Sequence, residues 1–308
     1  MANLVKSMTN WIEINQNLVN DNFRSLARAI SLVENDAIGY EDFLASLKIN
    51  NEIPILGITG PPGAGKSTIV NSLISEYLAK GYKVAVIAID PTSPFNFGSL
   101  LGDRIRMGEH FINQNVFIRS IATRGSLGGL SAKTIEICDL IRAYPFDLII
   151  VETVGVGQSE VEIVGLADTT IVVLVPEAGD EVQGIKSGIM EIADIFVVNK
   201  SDREGADQFV NNLKIMLHDR PDTENMTAVI KTIATQKEGI LELIDAISTH
   251  KNKRSAPKKL YLLTEKAFKL VQSNRMKNFD KNAMKKDIEM AFEKPNFNFY
   301  ELLKKYFN

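Results

Sequence analysis

The segment "GITGPPGAGKST" (57–68) of this 308-residue chain gives the strongest indication of its fold. It contains Gly60-x-x-x-x-Gly65-Lys66-Ser67, the spacing of a phosphate-binding P-loop, between an apolar run and an amphipathic stretch. The glycines let backbone N–H groups close around phosphate oxygens, and the N-terminus of the following helix adds a favourable dipole. We predict that Lys66 reaches the terminal phosphates and that Ser67 faces Mg²⁺. The nucleotide-binding residues predicted here are Gly60, Pro61, Pro62, Gly63, Ala64, Gly65, Lys66, Ser67 and Thr68.

Short apolar runs alternate with amphipathic stretches on both sides of this segment. Near-continuous Val/Ile runs between helices are typical of a parallel sheet that is buried on both faces. The sequence therefore predicts an α/β fold with a mostly parallel sheet. The predicted strands cover residues 54–59, 83–89, 116–121, 147–152, 170–175, 195–200 and 228–234.

Helical spacing flanks this core. Phe23, Leu26 and Ile30 mark one amphipathic face before it. After it, the basic stretch "THKNKRSAPKK" (249–259) is interpreted as a solvated linker that ends at Pro257, and helical spacing then returns. We predict an N-terminal helical segment (1–50), a nucleotide-binding domain (51–250), and a linker with a C-terminal helical extension (251–308).

Composition narrows the class of protein. Lys+Arg 35 against Asp+Glu 38 gives a net charge of −3, so no global field favours nucleic acid or an anionic membrane. The longest apolar runs are strand-sized and too short to span a bilayer, and the first residues lack the layout of a secretory signal. The single cysteine, Cys138, excludes an internal disulfide framework and fits a reducing compartment. We expect a cytoplasmic protein that binds neither nucleic acid nor membrane.

The predicted base-binding loop follows the sixth strand. Asn199-Lys200-Ser201-Asp202 resembles the guanine-recognition motif of P-loop GTPases. The Asp202 carboxylate would accept hydrogen bonds from guanine N1–H and the exocyclic amine, whereas adenine would leave it unpaired. Lys200 would lie across the base, and Asn199 would tie this loop to the P-loop. Ala234, in "TIATQKEG" (232–239), would supply a backbone contact to the guanine carbonyl.

The loop "VETVGVGQSE" (151–160) follows the fourth strand. Glycine loses more backbone freedom on folding than any other residue, so a loop with two glycines needs something to order it. With GTP on the P-loop, Glu152 would lie near the metal and Gly155 would donate its N–H to the γ-phosphate. The nucleotide would then order the loop, and hydrolysis would release it. Common GTPases carry Asp where Glu152 stands.

Two further loops follow strands and carry polar residues. The segment 88–108 contains Asp90, Asp103 and Arg106, and a loop of this length inside a compact domain is usually functional. The segment "PEAGDEVQGIKSG" (176–188) carries acidic residues and a lysine among glycines.

Six stretches together resemble one protein family: "GITGPPGAGKST" (57–68), "VAVIAIDPTSP" (84–94), "GSLLGDRIRM" (98–107), "FDLIIVETVGVGQSE" (146–160), "PEAGDEVQGIKSGIMEIAD" (176–194) and "VNKSD" (198–202). They are similar to the GTPase chaperones of methylmalonyl-CoA mutase, a metallochaperone-like branch of P-loop GTPases. An older label for this family is lysine/arginine/ornithine transport system kinase. The resemblance covers roughly residues 20–250 and implies a P-loop GTPase core.

The resemblance implies a Mg²⁺-dependent GTPase that docks on a B12-dependent acyl-CoA mutase. There it would gate the loading of adenosylcobalamin from an adenosyltransferase and protect the mutase from inactivation. A homodimer is also implied, with C-terminal helices reaching across to the other subunit, although an intramolecular helical cap is the alternative. By the family pattern the catalytic residues would be Lys66, Asp90, Asp103, Glu152 and Gln158; the metal ligands Ser67, Asp90, Asp103 and Glu152; and the partner-facing switch residues Glu177, Asp180, Gln183 and Lys186. Either Arg106 or Arg124 would supply activating charge.

Three other functions are consistent with a P-loop. A nickel- or cobalt-inserting GTPase would need soft or imidazole ligands for its cargo. The chain offers only Cys138, which fits a buried helix face, and the scattered His110, His218 and His250. A small-molecule kinase would transfer the γ-phosphate to an acceptor, and "NKSD" would then be coincidental. A non-catalytic scaffold would bind nucleotide without turnover.

Overall fold

The computed structural model describes residues 11–17, 23–90, 108–110, 112–122, 132–153, 163–179, 193–218, 227–251, 256–276, 279–294 and 297–307. The chain forms two compact units, Met1–Lys266 and Ala267–Asn308. No helix in these ranges combines the length and apolar composition needed to cross a bilayer.

A seven-stranded sheet forms the centre of the first unit. Its spatial order is β3-β2-β4-β1-β5-β6-β7, and every neighbouring pair is parallel. Each of the seven apolar runs in the sequence became one strand, which confirms the predicted parallel sheet. The strands are β1 (Ile55–Thr59), β2 (Val84–Asp90), β3 (Val116–Ala122), β4 (Leu148–Glu152), β5 (Thr169–Leu174), β6 (Ile195–Asn199) and β7 (Ala228–Thr232).

Helices flank the strands in the α/β pattern that the sequence predicts. Residues 11–17 are also helical. The first unit and the start of the second contain α1 (Phe23–Glu34), α2 (Tyr40–Ser46), α3 (Lys66–Ala79), α4 (Ala132–Arg142), α5 (Ala206–His218), α6 (Ile240–Lys251) and α7 (Ala256–Met276). The second unit continues with α8 (Lys281–Phe292) and α9 (Phe299–Leu303).

Alternate residues of the central strands pack on opposite faces of the sheet, as a period of two requires. On one face, Ile171 and Val173 belong to a core shared with α3 and α6. On the other face, Val172 and Leu174 belong to a core shared with α5. Because both faces are covered, the strands need no polar alternation, and this explains their continuous apolar sequence.

The N-terminal helices pack beside β3. The Phe23 ring of α1 contacts the rings of Phe117, Tyr144 and Phe146, with centroids 5.5, 5.6 and 5.9 Å apart. Helix α1 therefore packs against an aromatic cluster formed by β3 and by the turn before β4.

The basic linker is shorter than the sequence predicts. Helix α6 continues to Lys251 and α7 begins at Ala256, so the linker does not end at Pro257. Proline is tolerated in the first turn of a helix, where its missing N–H would have had no partner. Pro257 therefore marks the start of a helix here.

The single cysteine lies on the buried face of α4. Cys138 is fully buried, and burial, with the neighbouring Asp139 carboxylate, raises the pKa of its thiol to about 12. Since the thiolate is the reactive species, we expect Ellman's reagent to label native protein only at the rate of unfolding. Labelling should become complete in guanidinium chloride, with N-acetylcysteine as the control for reagent activity. Rapid stoichiometric labelling of native protein would contradict this placement.

Candidate functional site

The predicted site residues meet at the carboxyl edge of the sheet, where parallel strands end together. The loop 60–65 follows β1, Asp90 ends β2 and Glu152 ends β4. On the other side of the P-loop, Asn199 ends β6, and Ala234 lies two residues after β7. The fold therefore brings phosphate-binding and base-binding candidates to one edge.

Two glycines of the P-loop are required by close contacts. Gly60 has φ 139°, and a Cβ there would lie 2.1 Å from the Val173 carbonyl oxygen. Gly65 has φ 88°, and a Cβ there would lie 2.3 Å from Asn199 Nδ2. Any larger residue would push the loop away from β5 or β6, so these glycines fix the shape of the phosphate-binding turn.

Lys66 opens α3 with its ammonium directed back over the loop. Its side chain is 7% exposed, and Nζ donates to the Gly60 carbonyl at 2.8 Å and the Pro61 carbonyl at 3.0 Å. The charge therefore lies at the N-terminus of α3, where loop N–H groups and the helix dipole also favour an anion.

Ser67 and Glu152 form a hydrogen-bonded pair of buried oxygen-bearing side chains. Ser67 Oγ donates to Glu152 Oε1 at 2.7 Å, and both residues are buried. Mg²⁺ prefers oxygen ligands and is commonly held by one or two protein groups plus substrate phosphates. Asp90 ends β2 at the same edge, two residues after Ala88, which pairs with Glu152 of β4. The donor set therefore fits Mg²⁺ beside the P-loop.

Asn199 joins the phosphate-binding loop to the predicted base-binding loops. Its Nδ2 donates to the Ala64 carbonyl at 2.8 Å, while Oδ1 accepts from Thr232 Oγ1 at 3.1 Å and from Ala234 N at 3.2 Å. The residue is 3% exposed, so these bonds have little competition from water. One side chain thus holds three loops in register.

The other predicted base-binding residues are Lys200, Asp202 and Ala234. Lys200 has φ 56°, and its Nζ donates to the Gly63 carbonyl at 2.8 Å. Asp202 is exposed. Ala234 is buried, and its carbonyl accepts from Ser72 Oγ at 3.0 Å.

Sequence reasoning missed Thr232 and Ser72 as members of this network. Thr232 is the last residue of β7, and Ser72 is a buried polar residue in the middle of α3. A hydroxyl on an otherwise apolar helix face was the available signal, since such groups need a partner. The Ser72 hydroxyl bonds directly to the Ala234 carbonyl, whereas the Thr232 hydroxyl bonds to Asn199.

Replacing Asn199 with alanine should weaken the connection between the phosphate-binding loop and the base-binding loops. The change removes three hydrogen bonds and leaves buried partners unsatisfied, so we expect the free energy of unfolding to fall by about 2 to 4 kcal/mol. Urea denaturation measures the loss, and GTP affinity should fall with it. Asn211→Ala, at an exposed position of α5, is the matched control. Equal stability of the two variants would mean that the bridge does not support the site.

The segment after β5 contacts the base loop through one ion pair. Glu177, in the turn Pro176–Gly179, pairs with Arg203, which follows Asp202. The hydrogen bond from Arg203 lowers the pKa of the Glu177 carboxyl. Arg203 was not among the predicted residues. The other predicted residues of these loops lie outside the described parts of the chain: Asp103, Arg106, Arg124, Gly155, Gln158, Asp180, Gln183 and Lys186.

The residues that could act as soft or imidazole metal ligands, Cys138 and the three histidines, lie on separate secondary-structure elements. His110 is buried in a short 3₁₀ turn, and His218 is exposed at the end of α5. His250, in α6, pairs with Asp194 at 3.1 Å. Within the described ranges, no three His, Cys, Asp or Glu side chains come together in a cluster that could hold a metal ion.

Comparison with known proteins points to one family. The sequence model described as "Methylmalonyl Co-A mutase-associated GTPase MeaB" matches residues 26–284. A Pyrococcus abyssi protein named as a candidate GTPase is 52% identical over 233 residues. The match covers 74% of this chain and 72% of that protein. The mitochondrial methylmalonic aciduria type A homolog of Mus musculus is 36% identical over 236 residues, 73% of this chain and 56% of that protein. The crystal structure of an LAO/AO transport system kinase matches with TM-score 0.68 and 27% identity, covering 96% of each chain.

Proposed function

The chain belongs to the MeaB family of methylmalonyl-CoA mutase-associated GTPases, and on that premise we propose that its GTP hydrolysis gates adenosylcobalamin loading of a B12-dependent acyl-CoA mutase. In this role the protein would dock on the mutase, admit cofactor from an adenosyltransferase and protect the mutase from inactivation. The mutase would be of the methylmalonyl-CoA type. The name of the mouse relative supports this link to methylmalonate metabolism.

The observation that carries the proposal is the hydrogen bond between Ser67 and Glu152. It joins the start of α3, beneath the phosphate-binding loop, to the last residue of β4. The next residue, Thr153, donates its Oγ1 to Thr59 Oγ1 at 2.8 Å, so two strand ends are tied together where the chain leaves the sheet. A change at the terminal phosphate would therefore act directly on the segment that follows Thr153.

The chemical step would be attack of water on the γ-phosphorus, with GDP as the leaving group. Such a transition state is loose, so catalysis depends on positioning and on neutralising charge. Lys66 would exchange its bonds to the Gly60 and Pro61 carbonyls for bonds to phosphate oxygens. Ser67 and Glu152, with Asp90, would hold Mg²⁺, which would supply positive charge to neutralise the phosphates. On the family pattern, Asp103, Gly155 and Gln158 would complete the site.

The guanine base would lie over the loops that follow β6 and β7. Asp202 would accept from guanine N1–H and the exocyclic amine, and Lys200 would cover the ring with its alkyl chain. The Ala234 backbone would contact the guanine carbonyl. Because Asn199 bonds to both Ala64 and Ala234, the guanine and phosphate subsites would respond together to bound nucleotide.

The protein would act as a homodimer through its C-terminal helices. Within the unit Ala267–Asn308, large apolar side chains are exposed on three consecutive helices and just after the 3₁₀ turn that follows them, and exposed apolar patches commonly mark protein interfaces. These residues are Phe268, Val271, Met276, Met290, Phe292, Phe299, Tyr300 and Phe307. Along the chain we propose the division 1–50, 51–250 and 251–308, with the last part as the dimerisation arm.

The test compares GTP hydrolysis by the protein with and without a methylmalonyl-CoA mutase, together with pull-downs in GDP and in a non-hydrolysable GTP analogue. We expect the mutase to stimulate turnover, and we expect its affinity for the GTP-bound and GDP-bound protein to differ by about 5- to 150-fold, the usual range of coupling between two binding sites. The two nucleotides should also give different amounts of complex. Identical rates and identical binding would contradict the mutase role and leave the nucleotide chemistry.

The same preparation distinguishes the alternatives. A small-molecule kinase would transfer phosphate to an acceptor, detected as a phosphorylated product in place of free phosphate. A metal-inserting GTPase would retain Ni²⁺ or Co²⁺ in equilibrium dialysis. The proposed function predicts neither result.

A further inference from the structure

A cavity of about 310 Å³ lies at the amino edge of the sheet. Its walls come from residues that precede or begin strands: Ile53 and Pro54 before β1, Asp147 before β4, and Thr169 at the start of β5. The P-loop lies at the opposite, carboxyl edge. The cavity is therefore separate from the nucleotide site.

Acidic and aromatic side chains line this cavity. Glu52 and Asp147 contribute carboxylates, and the Tyr77 and Tyr82 rings lie 5.2 Å apart, tilted by 49°. The described lining residues include no Lys, Arg or His. Lys83 follows Tyr82, but its ammonium lies near the rings of Phe23 and Tyr144, at 5.3 and 5.1 Å.

Tyr77 adds a phenolic hydroxyl to the lining of this cavity. The residue is 6% exposed and lines the cavity. Burial, and then the neighbouring Tyr82, raise the pKa of this hydroxyl to about 12, so it stays neutral and can both donate and accept. The hydroxyl oxygen is therefore an acceptor for a donor group on a ligand in the cavity.

We propose that this cavity binds a small organic cation that carries an ammonium or guanidinium group on a short chain. The faces of Tyr77 and Tyr82 attract a cation through the ring quadrupole, and Glu52 and Asp147 add negative charge. Ammonium and guanidinium groups are hydrogen-bond donors only, which suits two carboxylates and the Tyr77 hydroxyl as acceptors. The volume lies at the small end of ligand cavities.

Other ligand classes fit less well. An anion would face two carboxylates and no basic side chain among the described lining residues. A purely apolar molecule would strip water from both carboxylates. The lining therefore selects for positive charge.

The two ends of α3 separate this cavity from the GTPase chemistry. Lys66 begins the helix and Tyr77 lies eleven residues later, which is about 17 Å along the axis at the usual helical rise. Binding at the cavity thus does not depend on the proposed function, and can be measured in nucleotide-free protein.

The test is a ligand-observed NMR titration of the full chain with n-butylammonium and n-butylguanidinium, using n-butanol and butyrate as neutral and anionic controls. We expect saturable binding of both cations and no saturable binding of either control. Tyr77→Phe keeps the ring and should weaken binding about tenfold by removing one hydrogen bond to a charged group. Glu52→Gln should weaken it about threefold, as expected for an exposed charge.

Glu242→Gln, at an exposed position of α6 outside this cavity, removes the same charge and should leave affinity unchanged. Circular dichroism establishes that each variant is folded. Absence of saturable cation binding to the wild type would overturn the proposal. So would cation binding that is insensitive to both cavity variants, or equal binding of butanol.

Discussion

Replacing Lys66 with alanine should reduce single-turnover GTP hydrolysis by about 100- to 1000-fold, the usual effect of deleting one preorganised donor to transition-state charge. The ammonium lies at the N-terminus of α3 and is held by two P-loop carbonyls, so it is placed before phosphate arrives. Water admitted in its place would reorganise with each turnover and stabilise the charge poorly. The rate should be measured with excess enzyme, so that product release does not mask the chemical step.

Lys80→Ala is the matched control for this variant. Lys80 caps the other end of α3 and is exposed, so its removal changes the net charge equally without touching the loop. We expect wild-type hydrolysis from this control and a native circular dichroism spectrum from both variants. Hydrolysis by Lys66→Ala within a few-fold of wild type would contradict the assigned role.

Replacing Asp202 with asparagine should weaken GTP binding by about 100-fold or more. The carboxylate would accept two hydrogen bonds from guanine, each worth about 1.5 to 3 kcal/mol for a charged acceptor. Asparagine keeps one acceptor but places an amide donor against a guanine donor. Xanthine carries a carbonyl oxygen where guanine carries its amine, so the variant should bind xanthosine triphosphate better than GTP.

Glu204→Gln tests whether this effect is specific to position 202. Glu204 is an exposed carboxylate in the same loop, and its loss should leave the preference for guanine intact. Calorimetric titration with GTP, ATP and xanthosine triphosphate gives all the affinities needed. If Asp202→Asn bound the three nucleotides in the same order of affinity as the wild type, Asp202 would not determine the base specificity.

The sheet was predictable because its pattern is local. Burial on both faces demands continuous apolar strands, and β1, β4, β5 and β6 are buried at every residue. The P-loop was predictable for a similar reason: its glycines and Lys66 stand at fixed spacing in the chain. The strand ends then follow from topology, since parallel strands finish at one edge.

The connections between loops were harder to predict because they join residues that are distant in sequence. Thr232 and Ser72 reach the site through Asn199 and Ala234, and nothing in their own neighbourhood specifies these partners. The ion pair between Glu177 and Arg203 depends likewise on the adjacency of β5 and β6. The end of the linker was predicted wrongly at Pro257, because proline suits both a linker and the first turn of a helix.

Calorimetric titration of the wild-type protein with GTP, GDP and ATP, in the presence of Mg²⁺, shows directly whether the site selects guanine. Because a guanine nucleotide would bind between Lys66 and Asp202, we expect GTP and GDP each to bind at least about 100-fold more tightly than ATP. Equal affinity for GTP and ATP, tighter binding of ATP, or no binding of any of the three would contradict it.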